Sequence, residues 1–142
     1  MKEMKIIFIA VISVLILQSC SLLYKNPCKS YSSDDVTFRS YSESSSVNEQ
    51  FAEEKALHMA KADIAENVDN YIVSKYGHQT FLQDPEYENK IVTIRKTILN
   101  NINIVCSKTI VKKGMYKSYI AIEISKEDID KEVTRKLKEQ TE

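Results

Sequence analysis

The stretch that most constrains this chain is residues 48–76, which can bury one line of side chains only as a long helix. Ala52, Ala56, Met59, Ala60, Ile64, Val68, Tyr71 and Ile72 recur at three- and four-residue steps, while Glu53, Glu54, Lys61, Asp63, Glu66 and Asp69 fall elsewhere around the axis. Alanines at the start of the stripe let that end lie close against a sheet, and the larger residues further along fill a wider gap. A coiled-coil seam would need more heptads and would not drift toward four-residue steps, so the pattern favours a core-packing helix. Ser46 followed by Glu49 reads as a capping box at its start, and Gly77 as its stop.

The segments around this helix read as the rest of a small domain. From Val36 a strand is expected, with Val36, Phe38, Ser40 and Ser42 on one face and Thr37, Arg39, Tyr41 and Glu43 on the other, ending in the serine run 44–46. A second helix over about 86–100, capped by Asp84 with Pro85 in its first turn, would bury Tyr87, Ile91, Ile94, Ile98 and Leu99. Two strands follow. In the first, 102–111, Ile102, Ile104 and Cys106 alternate with Asn103, Val105 and Ser107; in the second, 116–124, Ile120, Ile122 and Ile124 alternate with Tyr119, Ala121 and Glu123. Lys112-Lys113-Gly114 between them reads as a hairpin turn with Gly114 supplying positive φ. Ser125 caps a last helix striped by Ile129, Val133 and Leu137. Only two glycines and two prolines argue against a turn-dense β-sandwich. The expected class is α+β: a three-stranded antiparallel sheet, chain order β-α-α-β-β-α, packed on one face by the long helix, in a single domain over residues 36–142.

The amino terminus has a different character. Residues 1–5 are short and basic, and the run Ile6-Ile7-Phe8-Ile9-Ala10-Val11-Ile12-Ser13-Val14-Leu15-Ile16-Leu17 is apolar apart from Ser13. It is too short for a stable spanning helix, which needs roughly 20 apolar residues, and suits the hydrophobic region of a signal peptide over residues 1–19. Leu17-Gln18-Ser19-Cys20 then resembles a lipobox, which makes Cys20 the candidate lipid-attachment residue; Gln18 is bulkier than the usual occupant. Two or three acyl chains on Cys20 would hold the protein at a membrane. Residues 20–35, polar and serine-rich, read as a lipidated flexible tether. Ser21 is not the aspartate associated with inner-membrane retention, so the expected location is the outer membrane, facing the periplasm.

Charge excludes one class of partner. The chain has 20 basic and 20 acidic side chains, a formal net charge of zero, and a nucleic-acid binder would need a concentrated basic face.

Several segments together resemble a known family. These are the tyrosine- and serine-bearing first strand, the run Phe51-Ala52-Glu53-Glu54-Lys55-Ala56-Leu57-His58-Met59-Ala60-Lys61-Ala62-Asp63-Ile64-Ala65, the segment Leu99-Asn100-Asn101-Ile102-Asn103-Ile104-Val105-Cys106, and Tyr119-Ile120-Ala121-Ile122-Glu123-Ile124. The pattern resembles the membrane-associated lipoproteins typified by a twenty-kilodalton antigen, whose domain is similar to the amino-terminal domain of a flagellar T-ring protein. Glycines frequent in that family's first strand are here Ser40, Ser42 and Ser44. The resemblance covers about residues 36–125 and implies a lipid-anchored envelope protein with no established catalysis.

The residues themselves point the same way. His58 and His78 are the only histidines, and no HExxH or CxxC spacing accompanies them, so no metal, cofactor or catalytic site is expected. Cys28 and Cys106 remain after Cys20; an oxidising compartment permits them to pair, but a place in a tether for Cys28 and a core phase for Cys106 favour two separate thiols. Phe81 and Leu82, between the helices, either cap the core or present an apolar patch to a partner. The expected function is a non-enzymatic binding or accessory module, held at the membrane through Cys20 and docking an envelope protein or the cell wall. The alternative is a surface-exposed structural protein, adhesin or antigen.

Overall fold

The structure, a computed structural model, describes residues 26–77 and 87–139. The expected signal peptide over 1–19, Cys20, His78, Phe81, Leu82 and the expected helix start at Asp84–Pro85 lie outside the described residues. Six elements follow in order: β1 (Thr37–Ser46), α1 (Glu49–Tyr76), α2 (Tyr87–Asn100), β2 (Asn103–Lys112), β3 (Met115–Ser125) and α3 (Lys126–Lys138). The strands form one antiparallel sheet in the order β1-β3-β2, and the fold is α+β as the sequence pattern predicts.

The long helix buries a simpler line than its composition suggests. Ala52, Ala56, Ala60, Ile64, Val68 and Ile72 are its buried residues, spaced four apart throughout. Each four-residue step advances about 40° beyond a full turn, so the line winds roughly 200° around the axis from Ala52 to Ile72. The helix thereby turns from β1 and β3 toward α2 and α3, all four of which it contacts. Met59, on the expected stripe, falls off this winding line and is largely exposed. The small residues Ser40, Ser42 and Ser44 of β1 are buried in the same phase as Phe38, whose ring meets Tyr71 of α1 edge to face at 5.7 Å. Serines on the strand and alanines on the helix let the two backbones approach where larger residues would hold them apart.

The core adds Ile91, Ile94 and Ile98 of α2, Ile120, Ile122 and Ile124 of β3, and Ile129 and Val133 of α3. Three local details differ from expectation. β1 runs on through its serines to Ser46, and the N-cap of α1 is Asn48, whose Oδ1 accepts from the Phe51 N–H at 3.0 Å, not Ser46. Gly77 ends α1 without entering the left-handed region (φ −66°); the demand there is for space, since a Cβ would stand 2.3 Å from the Val73 carbonyl oxygen. In the β2–β3 hairpin Gly114 is left-handed (φ 75°) as expected, but Lys113 (φ 52°) is too, which makes a two-residue turn whose flanking partners are Lys112 and Met115.

Candidate functional site

The sheet face away from the helices is where the sequence reading and the structure part most. Alternation along β2 puts Cys106 in phase with Ile104, on the helix side. Instead a β-bulge lies between Ile104, which pairs with Ile122, and Cys106, which pairs with Ala121. The extra residue, Val105, shifts the phase by one, so Cys106 turns to the far face with Tyr119 and Ala121.

Residues 26–35, expected as part of a tether, are packed on this face. Cys28 is fully buried against Tyr119 and Ala121, among Tyr41, Val105, Cys106 and Ile110. Its Sγ is bonded to that of Cys106, with Cα atoms 5.6 Å apart and 78 residues of separation in sequence. The expectation of two separate thiols is therefore corrected on both of its grounds: the bulge re-aims Cys106, and the segment carrying Cys28 forms a short second core of its own.

Polar contacts fasten this segment on either side of the bridge. Asn26 donates through Nδ2 to Glu43 at 2.9 Å and to the Tyr41 hydroxyl. Glu43 also accepts from the Tyr41 hydroxyl at 2.6 Å and pairs with Lys117 of β3 at 2.7 Å. Burial, then the hydrogen bond to Glu43, pushes the Tyr41 phenol up to about 12, while Lys117 and the Tyr41 hydroxyl hold Glu43 below the ordinary carboxylate range. At the other end, Asp34 accepts from the N–H groups of Val36 and Thr37 at 3.0 and 2.8 Å and pairs with Arg39 at 2.6 Å. Arg39 in turn pairs at 2.9 Å with Glu123, its cross-strand partner. Ser33 Oγ accepts from the Arg39 N–H at 2.8 Å and donates to its carbonyl at 3.1 Å, covering part of the outer edge of β1.

A second polar cluster locks α3 to α1. Asp130 accepts from Tyr76 at 2.7 Å and Tyr71 at 3.1 Å, and pairs with Lys75 at 2.6 Å. Burial raises the Asp130 carboxyl, but the bonds from Lys75, Tyr76 and Tyr71 outweigh it and leave it below its ordinary value. A cleft of about 490 Å³ opens between the ends of the sheet, α2 and α3, lined among others by Thr37, Asn101, Glu123, Asp128, Glu132 and Arg135. Its charges are already committed: Arg135 pairs with Glu132, Lys131 with Asp128, and Glu123 with Arg39. His58 stands exposed on α1. Among the described residues no group of three or more His, Cys, Asp or Glu is placed to hold a metal ion, and no helix is long and apolar enough to cross a membrane.

The pieces that distinguish this face were only partly visible beforehand. Cys28 and Cys106 stood out as residues, but the bulge at Val105 and the role of Asn26, Ser33 and Asp34 did not. Asp34 with Thr37 three residues on carries a local signal, since aspartate before a strand often binds the following N–H groups. The chain matches no protein-family model and no curated protein sequence.

Proposed function

We propose that this chain is a lipid-anchored cell-envelope lipoprotein, a non-enzymatic binding or accessory module held at the outer membrane through Cys20. The observation that carries the reading is the sequence of events at the amino terminus: an apolar run, Leu17-Gln18-Ser19-Cys20, and then, eight residues later, a cysteine bonded across the domain. Buried structural disulfides belong to oxidising compartments, the same side of the membrane to which a lipoprotein signal delivers its cargo. The resemblance to lipoproteins typified by a twenty-kilodalton antigen points to the same place. The polar groups of the far sheet face are engaged in fastening residues 26–35, an arrangement suited to holding and presenting a domain and not to turning over a substrate.

Metabolic labelling with a fatty acid tests the reading. Label is expected on the wild-type protein and absent from Cys20→Ala; label that survives the substitution, or never appears, overturns it. Crosslinking of the labelled protein in intact cells then identifies the envelope component it meets.

A further inference from the structure

We infer that the hairpin end of the domain is a membrane-contact surface, inserting Val47, Phe51, Val111 and Met115 among phospholipid headgroups beside the anchor; the inference rests on the lipoprotein reading of Cys20. All four side chains lie at one end of the molecule, where β1 ends, α1 begins and the β2–β3 turn projects. They are 80, 68, 67 and 41 % exposed. Val36, Met59, Val73, Val92 and Ile104 are exposed as well, but they are dispersed along the start of β1, α1, α2 and β2. Four large apolar side chains at one tip are more than scattered surface residues account for. Lys113 sits at the same turn, and a lysine stem can lie along apolar surface while its ammonium group reaches phosphate.

The length of the link selects the occupant. Asn26 lies six residue steps after Cys20, a span of at most about 21 Å when fully extended. Asn26 is seated on Tyr41 and Glu43, and Glu43 lies three residues from the end of β1 at Ser46, roughly 10 Å along the strand. Thr37, at the other end, is six residues from Glu43, roughly 20 Å away. A link that short reaches the membrane easily with the hairpin end down. With the Thr37 end down, nearly all of it is spent along the sheet even when it is fully extended. A surface held so close to a bilayer meets lipid before it meets any protein.

The chain has no tryptophan, so a single introduced indole reports on its own surroundings. Full-length lipidated protein carrying Val47→Trp or Val111→Trp is reconstituted into phosphatidylethanolamine–phosphatidylglycerol vesicles with brominated acyl chains. Val73→Trp is the control, since Val73 is exposed and lies about 36 Å along α1 from its first turn. Quenching at the two tip positions at least about twofold stronger than at Val73, with blue-shifted emission, is the expected result for interfacial insertion. Equal, weak quenching at all three positions in protein that floats with the vesicles overturns the membrane-contact surface while leaving the anchor intact, and is the outcome if the tip instead docks a protein. Failure of the wild-type protein to float, with Cys20→Ala indistinguishable from it, removes the lipoprotein reading and this inference together.

Discussion

Removing the Cys28–Cys106 bridge is the perturbation whose size the structure defines best. The bond closes a loop of 78 residues that includes β1, α1, α2 and the first part of β2. In the chain-entropy model, opening a loop of this length releases about 4.5 kcal/mol of unfolded-state freedom at room temperature. A domain of this size has a total stability of only about 5–15 kcal/mol, so the double variant Cys28→Ala, Cys106→Ala should sit close to its unfolding limit. Alanine also leaves space where the fully buried Cys28 meets Tyr119 and Ala121, which adds to the loss. The assay is urea unfolding followed by far-ultraviolet circular dichroism, on wild-type protein with and without reductant and on the double variant. With a denaturant dependence of about 1–3 kcal/mol per molar urea, the midpoint should fall by roughly 2–4 M, and reduced wild type should behave like the variant. The slope should rise as well, because the uncrosslinked unfolded chain exposes more surface. A loss under about 1 kcal/mol, small against the loop-closure value, would refute the argument, as would free thiols at both positions in unfolded, unreduced protein.

The polar clusters and the turn give three further outcomes. Asp130 and Glu43 have folded-state values held below their ordinary ones, so each contributes stability that is present above its unfolded value and lost as pH falls through the folded one; urea midpoints should be flat near neutrality and drop below about pH 4. Asp130→Asn should lower the midpoint at pH 7 and make the acid decline shallower, measured as midpoint against pH. Lys113 holds φ 52° without being glycine, and Lys113→Asn should stabilise the two-residue turn by roughly 0.5–1 kcal/mol, read as a rise in Tm of a few degrees.

The sequence made the helix-facing half of this molecule legible and left the other half obscure, for a physical reason. Periodicity reports which side chains a regular element buries, and α1, β3 and α3 are regular: the alanine line, Ile120, Ile122 and Ile124, and Ile129 with Val133 all occupy their expected places. The far face depends on an irregularity. One extra residue at Val105 reverses the direction of everything after it on β2, and nothing in a run of Ile, Val and Cys announces where strand pairing will slip. Residues 26–35 were obscure for a related reason. Their polar, serine-rich composition looks like a linker, yet Asn26, Ser33 and Asp34 spend that polarity on the edge and face of β1. Composition alone does not distinguish polar residues facing water from polar residues satisfying a strand.

The bridge also decides how load from an anchor would enter the domain. Without it, residues 26–35 are held by a row of hydrogen bonds and partly exposed ion pairs, each worth on the order of 1 kcal/mol or less. Pulled from the amino-terminal end, such a row yields one contact at a time, beginning with Asn26 on Glu43. With it, tension passing Asn26 reaches a covalent bond two residues later, at Cys28, and crosses directly to Cys106 on β2. From there it is spread over the β2–β3 ladder, whose registered pairs run from Asn103–Glu123 to Lys112–Met115 and resist together. On the lipoprotein reading, load from Cys20 therefore enters the domain at Cys28, eight residues further along the chain. Residues 29–35 then move with the sheet instead of peeling away from it, and it is on an attachment this close that the proposed membrane contact depends.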